Sequence, residues 1–208
     1  MEYQLFERTQ ADIKPDLRLL DAAELARYQR FRSPRRQLEF LLGRTLLKTL
    51  LADLLPAEPN AISLALTPNG QPYLSAGGRA PRFHFSLAHA SGRYLVGVSA
   101  HPIGVDVERI QPVDLAQVQH FLSALERQQL AALPAPERNR QFYCLFTRKE
   151  AFFKATDKHL PFEHSHCCLL NGEWQLCQRP AAYQFYQAEQ ADFCTAVCLV
   201  VPAILPAA

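Results

Sequence analysis

Three carboxylates and a lysine are the residues of this chain whose types and spacing suit chemistry. In Ile103-Gly104-Val105-Asp106-Val107-Glu108 the apolar residues alternate with glycine and acids. A strand's period of two sends the apolar side chains to one face and both carboxylates to the other. Two acids on one face repel unless a cation lies between them. Farther on, Phe146-Thr147-Arg148-Lys149-Glu150-Ala151-Phe152-Phe153-Lys154 has helical composition, and Glu150 and Lys154 are i,i+4 neighbours on one side of that helix. If strand and helix meet, Asp106, Glu108 and Glu150 jointly hold a hard divalent cation.

The remaining elements must bring these two stretches together. Residues 1 to about 20 predict an edge strand and a loop. A helical region runs from Ala22 to Leu55 and breaks at Ser33-Pro34, where serine caps and proline fits the first turn. In its second part Leu38, Leu41, Leu42, Thr45, Leu46, Thr49 and Leu50 recur at i, i+3, i+4 spacing, which predicts one core-facing stripe. Asn60 to Leu66 alternates as a strand, Pro68-Asn69-Gly70-Gln71-Pro72 is a turn, and Phe83 to Ala90 leads into a strand over Tyr94 to Ser99. After Glu108, Pro112-Val113-Asp114 is expected to open a helix carrying Leu115, Val118, Phe121, Leu122 and Leu125, with Glu126 solvated beyond it. Pro134 and Pro136 divide this from a helix ending near Thr156, and short strands follow from Cys167 to Pro202. Two helical regions and two groups of strands predict an α+β protein in two halves, 1–101 and 102–208, although no repeat is visible in the residues themselves.

Bulk properties narrow the function. The 208 residues are 49% apolar and 20% charged, ordinary for a soluble globular protein, and the net charge of +2 is low for a dedicated nucleic-acid binder. The first residues have neither the basic start nor the apolar run of a signal peptide, and no apolar segment approaches membrane-spanning length, so the expected address is the cytoplasm. The six cysteines are expected to be reduced and packed singly in strands; His164-Ser165-His166-Cys167-Cys168 lacks the paired spacing of a zinc site. Arg27, Arg30, Arg32, Arg35, Arg36 and Arg44 crowd the first helical region. Most belong on a solvated face, but two or three of their guanidinium forks would match phosphate oxygens.

Gly104-x-Asp106-x-Glu108 followed by Phe146-x-x-Lys149-Glu150-Ala151-x-x-Lys154 resembles the paired signature of the phosphopantetheinyl transferases, specifically the monomeric Sfp type. Asn69-Gly70-Gln71-Pro72 is similar to the family's Gly-Lys-Pro turn, and Phe85-Ser86-Leu87-Ala88-His89-Ala90 to its Phe-Asn-x-Ser-His-Ser element. Arg27 through Phe31 and Gly43 through Lys48 resemble its amino-terminal basic helices, and Phe121-Leu122-Ser123-x-x-Glu126 a segment after the first motif. The resemblance covers most of the chain.

It implies two similar α/β halves related by a pseudo-twofold axis, with the active site between them. It also implies transfer of the 4′-phosphopantetheine of coenzyme A to a serine of an apo acyl or peptidyl carrier protein, with magnesium as cofactor, adenosine 3′,5′-bisphosphate as leaving product, and no nucleic acid or membrane partner. Position by position, Asp106, Glu108 and Glu150 take the metal roles. Glu150 is also the candidate base for the carrier serine, directly or through a metal-bound water, and Lys154 neutralises the phosphate under attack or protonates the leaving phosphate. Lys149, Arg27, Arg44 and His89 fall at phosphate-binding positions, and Gly70, Gln71 and Pro72 line the adenine side. Gln71 stands where lysine is usual, Ala88 where serine often binds phosphate, and Asp157-Lys158-His159 where the family runs Gly-x-Gly. Two other classes compete with this one. A magnesium-dependent nuclease or phosphodiesterase also pairs carboxylates with lysine, but Lys149-Glu150 has the wrong order for its E-x-K pattern. A non-catalytic coenzyme A or carrier-binding module is opposed by the intact carboxylates and favoured by Gln71 and Ala88.

Overall fold

The computed structural model describes residues 3–75, 83–157, 167–170, 173–176, 183–190 and 192–201, with 167–170 and 173–176 described by backbone alone. The first half runs β1 (Tyr3–Thr9), α1 (Ala22–Arg30), α2 (Pro34–Leu54), a hairpin of β2 (Leu64–Leu66) and β3 (Pro72–Leu74), then β4 (His84–Ala90) and β5 (Arg93–Ser99). The second repeats that order as β6 (Ile103–Arg109), α3 (Ala124–Ala131), α4 (Ala135–Thr156), a hairpin of β7 (Cys167–Leu170) and β8 (Glu173–Leu176), then β9 (Tyr183–Gln190) and β10 (Phe193–Val200). Each half forms an antiparallel sheet with its last strand in the centre, β1-β5-β4 in one and β6-β10-β9 in the other. The symmetry invisible in the residues is present in the topology.

Alternation on the central strands stacks these elements into layers. Tyr94, Val96 and Val98 of β5 pack against Leu42, Leu46, Leu47, Leu50 and Leu51 of α2. Leu95, on the other face, joins Ala88, Ile103, Val105, Val107, Val197 and Leu199 in a core between the two sheets. On β10, Cys194, Ala196 and Cys198 face the opposite way, toward α4. The resulting order is α2, first sheet, second sheet, α4. Ser86 of β4 bridges the sheets by accepting a buried hydrogen bond of 3.1 Å from the backbone N–H of Val105.

Helix starts follow the expected chemistry. Asp21 caps α1 by accepting from the N–H of Glu24, and Glu24 returns the bond to the N–H of Asp21. Ser33 and Pro34 open α2, and Ser123 with Glu126 forms the same reciprocal box on α3.

Three expectations are corrected. Asn60 to Leu66 begins in a 3-10 turn over Pro59–Ala61, and only Leu64–Leu66 is strand. The helix expected from Pro112 does not form. Asp114 turns the chain by accepting from the N–H of Ala116, Asn139 takes the N–H of Val113, and a short 3-10 turn over Gln119–Phe121 precedes α3. The Asp114 side chain thus takes an N–H that a helix from Pro112 would have used, and Asn139 ties the residue before Asp114 to α4. Nor is α2 apolar along one stripe: every residue from Leu41 to Lys48 is buried, Arg44 and Lys48 included, while Leu38 is exposed.

Candidate active site

The site begins at Gly104. A Cβ there would overlap the carbonyl oxygen of Ala151 and lie 2.5 Å from the amide nitrogen of Ala155. Glycine therefore lets β6 lie directly against the last turns of α4. Two residues along the strand, Asp106 faces the helix, and the ammonium of Lys154 donates to Asp106 Oδ1 at 2.7 Å and to the Val105 carbonyl at 3.1 Å. Strand and helix meet as the spacing predicts.

Asp106 is 5% exposed, and its Oδ2 is buried without a hydrogen-bond partner. A buried carboxylate oxygen left unpaired costs about 1–3 kcal/mol or more, which makes it a place where a cation would be gained. Burial pushes the Asp106 carboxyl above its ordinary range, against the opposing pull of Lys154. Glu108, on the same face, is pushed up to about 7, by burial first and then by the charge of Asp106, with Lys154 opposing and Glu150 adding a further rise. Mutual influence of this kind places all three carboxylates in one electrostatic neighbourhood. Among the described residues, no three His, Cys, Asp or Glu side chains converge tightly enough to enclose an ion unaided. The set fits an ion that keeps waters and takes phosphate oxygens better than one held in a protein cage.

His89 lies near the end of β4, stacked on Tyr94 at 5.3 Å between ring centroids. Its imidazole is held below the ordinary value, by crowding first and also by Lys154 and Arg35, with Glu39 opposing. Lys154 thus acts on the charge of His89, although the two belong to different halves. Ala88, the next residue back, is buried between the sheets. Arg27 extends over the Phe40 ring at 5.6 Å, close to the foot of α2.

Two of the expected phosphate contacts lie inside the protein. Arg44 is 6% exposed, lies over Phe40 and is 3.0 Å from Glu24. Lys149 is 2% exposed, donating to Glu126 at 2.7 Å and to the Phe121 carbonyl at 3.1 Å. Glu126, expected in solvent, is 0% exposed. Its structural role was signalled in the sequence by Ser123-x-x-Glu126, a capping-box pattern, but its lysine partner was not. The Gly70 turn also has a task that the sequence did not announce. Gln71 donates to the Phe153 carbonyl at 3.3 Å, and Asn69 and Thr67 bond Asp157, just past α4. Nothing in the local sequence pairs residues so far apart.

Of the cysteines described with side chains, Cys144, Cys194 and Cys198 are buried thiols, and the first two are in contact at 3.2 Å rather than packed singly. The His164–Cys168 cluster lies outside the residues described with side chains, as do Lys158 and His159.

Comparison with known proteins points to one family. Residues 102–198 match the model of the 4′-phosphopantetheinyl transferase superfamily, and residues 6–102 that of the 4′-phosphopantetheinyl transferase N-terminal domain. A 4′-phosphopantetheinyl transferase of Bacillus pumilus is 34% identical over 78% of this chain and 71% of its own. The transferase HetI of Nostoc is 29% identical over 87% of this chain and 78% of its own. For Sfp of Bacillus subtilis the identity is 30%, over 58% of this chain and 52% of that one. The chain therefore spans from about half to about three-quarters of the length of these relatives. The crystal structure of a Thermotoga maritima holo-[acyl-carrier-protein] synthase overlays 48% of this chain and 62% of its own at a TM-score of 0.41 and 20% identity.

Proposed function

The chain belongs to the 4′-phosphopantetheinyl transferase family, and we propose that it transfers the phosphopantetheine arm of coenzyme A to a serine hydroxyl of an apo acyl or peptidyl carrier protein. The observation that carries this reading is the meeting of Asp106, with its unpaired buried oxygen, and Lys154 across the Gly104 contact. That meeting offers an anionic ligand for a metal beside a cation for phosphate.

Asp106, Glu108 and Glu150 would hold magnesium, which when bound supplies positive charge for the pyrophosphate oxygens. Glu150 takes the proton from the serine Oγ, raising its nucleophilicity. The Oγ then bonds to the phosphorus that carries the pantetheine arm, and the bond from that phosphorus to the bridging oxygen breaks. Adenosine 3′,5′-bisphosphate leaves with the bond's electron pair. Lys154 moves between Asp106 and the phosphate, stabilising charge where it builds up on the reacting oxygens. His89 and Arg27 hold the 3′-phosphate, and the turn Gly70-Gln71-Pro72 borders the adenine. Arg44 and Lys149 act as buried supports of the helices that carry these groups, rather than as ligands. The same proposal has the protein working as a monomer in the cytoplasm. No helix among the described residues is long and apolar enough to cross a membrane.

Incubating the protein with magnesium, coenzyme A and a panel of apo carrier proteins should raise the mass of at least one carrier by one phosphopantetheine unit. Unchanged masses across unrelated carriers would leave a binding module without transfer. Glu150→Gln should abolish transfer while weakening coenzyme A binding far less; normal turnover in that variant removes Glu150 from the proposed mechanism.

A further inference from the structure

The end of the catalytic helix is held by the other half of the molecule. The turn between β2 and β3 is fixed internally: Thr67 N–H donates to the Gln71 carbonyl at 2.8 Å, Gly70 N–H to the Thr67 carbonyl at 2.9 Å, and Gln71 N–H to Thr67 Oγ1 at 3.2 Å, with Gly70 at φ +83°. This turn presents three side chains to α4. Thr67 Oγ1 donates to Asp157 Oδ1 at 2.9 Å. Asn69 Nδ2 donates to the Asp157 carbonyl at 2.7 Å and to Oδ1 at 3.1 Å. Gln71 Nε2 donates to the Phe153 carbonyl at 3.3 Å. The last carbonyls of a helix have no partner within it, so this turn acts as an external cap.

Asp157 is a poor local choice for its place. It adopts the left-handed conformation, φ 48° and ψ 36°, where glycine or asparagine is usual. Its negative charge also sits at the helix C-terminus, where the backbone dipole favours cations. Both costs are local, and the bonds that offset them come from a turn almost ninety residues earlier, |i−j| 88 to 90. The helix turn so held is the one that carries Lys154.

We propose that Thr67, Asn69 and Gln71 with Asp157 form an inter-half latch, and that Asp157 is a positioning residue that fixes the last turn of α4 and thereby the ammonium of Lys154. This rests on the transferase reading for its effect on turnover, but not for its effect on the helix. The latch also commits the Gln71 amide to the helix, so the turn meets a nucleotide with its other groups.

Two variants separate the side chain from the backbone. Asp157→Gly keeps the left-handed conformation and loses the acceptor. Asp157→Asn keeps both the conformation and the Oδ1 acceptor while removing the charge. In hydrogen exchange, the amides at the end of α4 should open about fivefold more often in Asp157→Gly than in Asp157→Asn, as expected for losing bonds worth about 1 kcal/mol net, since both variants remove the charge and both suit the left-handed conformation. In the carrier assay Asp157→Gly should lower kcat about tenfold with KM for coenzyme A nearly unchanged, because the loss is one of alignment, and Asp157→Asn should restore kcat. Equal exchange and normal kcat in both variants overturn the latch. Equal impairment of Asp157→Asn overturns it too, because the charge rather than the acceptor would then be what matters. If the unaltered protein modifies no carrier, the transferase reading falls, and the exchange measurement alone decides the latch.

Discussion

In the amino-terminal half, Lys48 donates to the Leu19 carbonyl at 2.7 Å and pairs with Glu24 at 2.6 Å. In the carboxy-terminal half, Lys149 donates to the Phe121 carbonyl at 3.1 Å and pairs with Glu126 at 2.7 Å. Each glutamate is the third residue of a capping box, and each carbonyl lies two residues before the cap, Asp21 or Ser123. Each lysine comes from the long helix that follows. The halves therefore build one internal joint twice, and they part only beyond it. Thr49 follows Lys48 where Glu150 follows Lys149, and Asp53 stands where Lys154 stands. On the facing strands, the fourth and sixth residues are Phe6 and Arg8 in β1 but Asp106 and Glu108 in β6. In the first half these positions line an open hollow of about 400 Å³. In the second they make the candidate active site. A shared framework carries the candidate carboxylates and Lys154 in one half only, through a handful of side chains and one close approach of backbones.

That close approach is the place to break the comparison most severely. Gly104 faces α4 at the second position of β6, where β1 has Gln4, an exposed residue. Gly104→Ala would drive its methyl into the backbone at Ala151 and Ala155, which cannot yield unless α4 moves away. Transfer should be lost entirely, and thermal unfolding should show a large fall in stability or no folded protein. Gln4→Ala should change stability by no more than about 0.5 kcal/mol, as surface substitutions usually do. Normal turnover in Gly104→Ala would mean that strand and helix are not so close.

A milder break removes one lysine from each joint. Lys149→Met leaves Glu126 as an uncompensated buried charge and should cost about 3–5 kcal/mol, whereas Lys48→Met leaves Glu24 still paired with Arg44 at 3.0 Å and should cost less. Replacing Lys149 and Glu126 together by methionine and leucine should recover much of that loss. Coenzyme A affinity of the folded fraction, measured well below the melting temperature, should stay normal in the Lys149→Met/Glu126→Leu protein. A large loss of affinity there would return Lys149 to the phosphate, where its position in the motif had put it.

These contrasts show which parts of the molecule local pattern could reveal. The caps at Ser33 and Ser123, the strand face of Asp106 and Glu108 and the i,i+4 pair of Glu150 and Lys154 are all relations within a few residues, and period or capping chemistry exposes them. The duplicated topology, the buried ends of Arg44 and Lys149 and the grip of Asn69 on Asp157 are long-range contacts. Burial decides whether a lysine is a ligand or a strut, and burial belongs to the packed molecule. The segment from Pro112 to Leu122 misled for the opposite reason: its apolar spacing suits a helix, but Asp114 and Asn139 take the backbone groups first.

The finest test concerns what the first half retains. It lacks the carboxylates, yet the proposed site takes His89 from it, and the surroundings of this imidazole hold its pKa below the ordinary value. A base depressed in this way favours folding when unprotonated, so that contribution is complete above the ordinary imidazole range and is lost as pH falls through the interval below it. A bound 3′-phosphate reverses the preference, because it would favour the imidazolium. Coenzyme A should therefore bind more tightly as pH falls through that interval, by no more than tenfold per unit for one proton taken up. Binding titrations of the unaltered protein and of His89→Gln isolate the effect, since the ligand's own phosphate titrates equally in both. The difference between the two curves should shrink toward neutral pH. Parallel curves would remove His89 from the phosphate and leave the first half with Arg27 as its charged contact.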